Sequence, residues 1–144
     1  MSLNNIFDIA GSAMTAQSIR LNTVASNLAN AESASSSVDT TYRARKPIFA
    51  VIQQQALNGV AGGMDEQASK GVQVAGIVES QAPLDMRYEP NHPMANEEGY
   101  VLYPNVNVVE EMADMISSSR SFQMNVEVMD SAKTMMQRVL TLGQ

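Results

Sequence analysis

Cysteine is absent from the 144 residues, so neither a disulfide framework nor a thiolate metal site is possible, and the chain is indifferent to redox compartment. Tryptophan is absent too, and aromatic residues make up only 5% of the chain. Positive charge is scarce: 9 Lys and Arg stand against 15 Asp and Glu, leaving a net −6 and an isoelectric point near 4.6. Such a chain offers no basic face to neutralise phosphates, which argues against nucleic acid as a partner. Its one basic cluster, Arg43, Arg45 and Lys46, reads as a solvated edge. No apolar run approaches the ~20 residues needed to span a bilayer, so direct membrane insertion is not expected. The N-terminus also lacks the charged region and apolar core of an ordinary secretory signal, so export would follow a route without a cleaved signal peptide.

What the chain does have is an apolar repeat at each end. At the front it runs Leu3, Phe7, Ala10, Met14, Gln17, Leu21, Val24, Leu28, Ala31. At the back it runs Val108, Met112, Met115, Ser119, Phe122, Val126, Met129, Lys133, Met136, Leu140. Alternating steps of three and four average about 3.5 residues, the spacing that holds one helix face against a partner in a left-handed supercoil. Each helix carries a second apolar line: Ile9, Ala16 and Ile19 in the first, and Met124, Val128, Met135 and Leu142 in the last. One partner cannot cover both, and an uncovered stripe exceeds the apolar patch a soluble monomer tolerates, so neighbouring subunits are expected on more than one side. Six of the 11 methionines lie between Met112 and Met136, as adaptable core or as contacts with non-identical partners.

These patterns predict an α+β chain whose long terminal helices pair as a coiled coil around a small, partly β, turn-rich middle. The expected divisions are an N-terminal helix over 1–31, a linker over 32–40, a β-rich module over 41–104 and a C-terminal helix over 105–144. The first helix is expected from Asn4 or Asn5 to about Asn30, roughly 40 Å, with a wet face of amides and hydroxyls suited to close helix contacts. Thr41–Gln54 and Gly71–Ser80 alternate as strands, Ala61–Lys70 reads as a Gly-rich loop, and Tyr100–Tyr103 is a short apolar segment closed by Pro104. Pro83, Pro90, Pro93 and Gly99 forbid a long helix between the last two. Asn107 reads as the N-cap of the last helix, with Glu110 completing a capping box, and Gly143 as its stop about 50 Å further on.

Catalytic chemistry finds little support. His92, the only histidine, sits between prolines with no nucleophile pattern nearby and reads as a turn residue. Asp85, Glu89, Glu97 and Glu98 match no calcium loop and read as a solvated acidic loop. Gly59, Gly62 and Gly63 form no phosphate-binding fingerprint. An enzyme is not expected, and no cofactor is implied.

Ser26-Asn27-Leu28-Ala29-Asn30-Ala31 resembles the Asn-Leu-Ala-Asn signature of bacterial flagellar rod and hook axial proteins. The stretch from Tyr88 to Asn107, with Pro90, His92, Pro93, Gly99, Pro104 and Asn105 at its turns, is similar to a segment of the rod branch of that family. Val108-Val109-Glu110-Glu111-Met112 and Ser119-Arg120-Ser121-Phe122-Gln123-Met124-Asn125-Val126 resemble its C-terminal helix. The likeness implies a structural subunit of the periplasmic rod, whose terminal helices stack into a tube around an export channel. It implies other rod subunits, the membrane-ring adaptor, copies of the chain itself and the flagellar type III export apparatus as partners. Leu21, Val24 and Leu28 are expected to meet Phe122, Val126 and Met129 in a mutual seam, and Asn27 and Asn30 to set helix register or to be fraying terminal amides. A helical adaptor or secretion chaperone, an axial component of a different secretion needle, and an enzyme built on the acidic loop are the competing classes.

Overall fold

The computed structural model describes residues 3–52 and 71–142. The element order is α1 (Leu3–Asn30), β1 (Arg45–Val51), β2 (Val72–Glu79), β3 (Asp85–Tyr88), β4 (Tyr100–Tyr103) and α2 (Val108–Leu142). The expected α+β architecture is therefore present, with two long helices enclosing two short antiparallel hairpins. The expected loop at Ala61–Lys70, the glycines within 59–63, the end of the first strand at Gln54 and the stop at Gly143 lie outside the described residues.

α1 contains no proline and follows its 3-4 repeat without interruption. It ends where the Asn30 carbonyl accepts from both the Ser33 amide and the Ser33 hydroxyl. α2 starts at the expected cap: Asn107 Oδ1 accepts from Val109 N at 3.1 Å and Glu110 N at 3.4 Å. The second half of the expected capping box differs, because the Glu110 carboxylate takes Lys46 Nζ at 2.7 Å. A full ammonium is a stronger donor to a carboxylate than a backbone amide.

β1 and β2 pair antiparallel from Arg45↔Glu79 to Val51↔Val72, with a bulge between Ile48 and Phe49. β3 pairs with β4 from Asp85↔Tyr103 to Tyr88↔Tyr100. β3 was not legible as a strand, since only four residues alternate between proline-bearing turns. The Ser-rich stretch expected as a linker is stitched in place. Ser35 exchanges both main-chain hydrogen bonds with Leu102, at 2.9 and 3.0 Å, and Thr41 Oγ1 donates to the Ser37 carbonyl at 2.6 Å.

α1 packs on α2 along one side and on both strands of the first hairpin along another. Gly71 shows how close the hairpin comes: a Cβ there would overlap Ser12 Oγ, and its φ of 137° suits only glycine. Ser12 Oγ in turn accepts from Val72 N at 3.1 Å. The buried apolar set is small in volume: Ala10, Ala16, Val24, Ala44, Val101, Leu102 and Ala132.

Candidate assembly surface

The two helices run antiparallel. Arg20 Nη2 meets Asp114 Oδ1 at 2.8 Å, while Ile6, near the other end of α1, shares an apolar groove with Met124, Val128, Ala132 and Met135. The start of α2 therefore lies beside the second half of α1. This separates two groups expected to meet: Leu21, Val24 and Leu28 sit near residues that open α2, whereas Phe122, Val126 and Met129 sit toward the first turns of α1.

On α1 the expected line is covered. Ala10 and Val24 are buried, and Phe7, Met14, Leu21, Leu28 and Ala31 are half-buried; Leu3 lies in the helix. On α2 the covered line is Glu111, Met115, Ser118, Phe122, Asn125, Met129, Ala132 and Met136. It shares Met115, Phe122, Met129 and Met136 with the expected line and replaces Met112, Ser119, Val126 and Lys133 by the residue just before each. Met112, Val126 and Leu140 consequently stand 52%, 38% and 67% exposed. Small residues at 118 and 132 let the helices approach closely, which larger Met and Val side chains would prevent. Among the described helices and strands the α2 backbone packs closely on α1 alone, and the Lys46–Glu110 ion pair is its tie to β1.

The second apolar lines fare differently. That of α1 is met within the chain: Ala16 is buried, and Ile19 lines a cavity with Thr23, Arg45 and Ile77 against the first hairpin. Two stripes on α1 therefore do not by themselves require a second molecule. That of α2 has no such cover, with Met124, Val128 and Met135 all exposed. Together with Ile6 they border a groove of about 450 Å3.

The signature residues hold the junction between helices and hairpins. Asn27, fully buried, donates from Nδ2 to the Arg45 carbonyl at 2.8 Å and accepts at Oδ1 from Arg45 N and from Tyr42 OH, each at 2.9 Å. It joins a helix to a strand, where helix-to-helix bonding was expected, and Asn30 bonds locally to the Ser26 carbonyl at 2.8 Å. Asn105 accepts from Ala44 N at 2.8 Å and donates to the Ala82 carbonyl at 2.9 Å, tying the approach to β1 to the exit from β2. Pro104 is buried between β4 and that clamp. In the turn, Tyr88 and Tyr100 meet edge to face at 5.3 Å, and Gly99, at φ 83°, lies against Tyr88 and Pro90. His92 Nδ1 accepts from Met94 N at 3.1 Å, with Pro93 exposed between them.

The acidic residues of this region are dispersed: Asp85 pairs with Arg87 at 3.0 Å, and Glu89 accepts from Tyr103 OH at 3.3 Å. Loss of solvent around the Tyr103 ring, and then the Glu89 carboxylate, raise that phenol above 10.0. No group of three metal-ligating side chains occurs among the described residues, and no described helix is long and apolar enough to cross a membrane.

Residues 7–32 match the family described as flagella basal body rod protein, and residues 97–142 match the flagellar basal body rod FlgEFG protein C-terminal family. The chain is 53% identical to flagellar basal-body rod protein FlgC of Escherichia coli O6:H1 and 51% identical to that of Salmonella typhimurium, in each case over 100% of both chains. It is 34% identical to the FlgC of Borreliella burgdorferi, over 100% of this chain and 99% of the other. Full-length identity at this level, on an architecture of two exterior-reaching helices, makes the chain a structural rod subunit: it belongs to the FlgC family of flagellar basal-body rod proteins.

Proposed function

We propose that this subunit is laid into the rod through its terminal helices, with residues 1–31 and 105–144 forming the tube and residues 41–104 carried as a side module. The uncovered α2 line of Met124, Val128 and Met135 is the single observation that carries the reading, since it is apolar, follows one side of the helix and is left exposed by the described residues. Neighbours on that line would be other rod subunits, with the membrane-ring adaptor and further copies at the remaining faces. Long helices near the tube axis resist bending, and many modest contacts spread torque. The location that follows is the periplasmic rod, around the export channel, reached through the flagellar type III apparatus without a cleaved signal peptide. The role is structural and not catalytic.

Met135→Asp tests this. The side chain is 59% exposed, so the isolated variant should keep the parent's helix content by circular dichroism. Burying one such side chain is worth about 1.5–3 kcal/mol, and a carboxylate in its place should prevent rod completion. A strain carrying only this variant should lack flagella in electron micrographs; normal swimming would refute the reading.

A further inference from the structure

Charged groups at the junction of α1, α2 and β1 are paired with one exception. Arg20 holds Asp114, Lys46 holds Glu110 and Arg45 holds Glu79. Glu111 is only 3% exposed, and its Oε2 atom has no hydrogen-bond partner. It lines a cavity of about 250 Å3 whose other charged residues are Arg20, Arg45, Lys46 and Asp114, with Val24, Pro47 and Phe49 between them. A buried carboxylate without a donor is costly, and the bases around this one are already engaged by other acids. Glu111 is therefore the one acid on this wall that lacks an ion pair of its own among the described residues.

The chain's own spare cations lie elsewhere. Among the described residues Arg43, Arg120, Lys133 and Arg138 make no ion pair; Arg43 donates to the Ser80 and Ala82 carbonyls, and the other three are exposed on α2. Lys133 and Arg138 are roughly 33 and 40 Å from Glu111 along the same helix, so neither can reach the cavity of its own molecule. They are well placed to reach another. Arg20 lies level with Asp114, which puts the start of α1 about level with Ser131 at 1.5 Å per residue, so the last turns of α2 project beyond it. That projection carries exposed Met135, Val139 and Leu140 beside the two bases.

We propose that the Glu111 cavity receives Lys133 or Arg138 from the projecting α2 end of a second copy, joining copies head to tail. The inference rests on the reading that α2 meets neighbouring subunits. Acidic residues open the helix and basic residues lie toward its end, so the contact also complements the two helix dipoles. Such a contact is heterologous and does not close on itself, as a helical assembly requires.

Sedimentation of the purified full-length chain at low salt tests the proposal. The parent should self-associate, and Glu111→Gln should weaken association about tenfold or more while raising the Tm of the monomer. Lys133→Gln with Arg138→Gln should weaken it equally, and Arg120→Gln should leave it unchanged. Glu111→Lys and the Lys133→Glu/Arg138→Glu double variant should each fail alone and associate when mixed. Glu111→Gln that associates like the parent, or that lowers the Tm, would overturn the proposal, the latter because the carboxylate would then have an internal partner. A parent monomeric at about 100 µM would overturn it as well, leaving the cation to a different rod subunit. Failure here leaves the Met135→Asp outcome untouched, so the two readings fall separately.

Discussion

Asn27 uses two hydrogen bonds to fasten α1 to the main chain of Arg45 and a third to hold the Tyr42 hydroxyl, a role that a hydrophobic side chain of equal volume cannot fill. Asn27→Ala would strand a buried amide and carbonyl on Arg45, at about 1–3 kcal/mol for each unpaired group. Its expected result is a loss of roughly 2–4 kcal/mol in urea unfolding, with the Arg45 amide losing hydrogen-exchange protection. Lys46 and Glu110 make a different kind of tie. The hydrogen bond from Lys46 is the first cause lowering the Glu110 carboxyl from its ordinary 4.5, and the same bond is the first cause raising Lys46 from 10.5. A lowered acid stabilises above its ordinary value and loses that contribution as pH falls through the folded one. A raised base stabilises below its ordinary value and loses it as pH rises through the folded one. The tie is thus complete between the two, and its worth is small because both side chains are more than half exposed. NMR titration should place the Glu110 midpoint below 4.5, and Lys46→Met should return it toward that value.

α2 shows what a repeat can and cannot say about an element. Two candidate lines one residue apart share Met115, Phe122, Met129 and Met136, and hydrophobicity favours the line through Met112, Val126 and Leu140. Packing chose the other, through Glu111, Ser118, Asn125 and Ala132; at the last of these a close antiparallel approach favours the small side chain over the long Lys133. The choice leaves Ser118 Oγ and Gln17 Oε1 buried without hydrogen-bond partners. Ser118→Ala removes one such hydroxyl and should raise the stability of the isolated chain by about 1 kcal/mol in thermal unfolding. An unchanged or lowered Tm would mean that the hydroxyl is bonded in solution. The helices themselves, the end of α1 at Asn30 and the Asn107 cap were readable from periodicity and capping chemistry. Strand β3 was not, since its pairing with β4 is settled by the turn around Gly99 and Asn96, where Asn96 Oδ1 accepts from Glu98 N and Tyr100 N.

At the scale of the whole molecule, a core built mainly of alanines and valines leaves much of the apolar surface on the outside of α2 and the hairpins. Leu28 and Met135 represent the two kinds of apolar position that result. Leu28 is half-buried within the chain's own fold, so an aspartate there should lower helix content and assembly together, whereas Met135→Asp should reduce assembly alone. Composition, charge sign, helix spacing and motif order determined the class of this protein, because each is a local or summed property of the residues. The tertiary structure alone decided that the helices run antiparallel, that Asn27 grips a strand, that the hairpin covers the second line of α1, and that Glu111 lies buried with its Oε2 atom unbonded among the described residues. Those outcomes depend on which surfaces meet, and contact between distant segments is set by the whole chain packing at once.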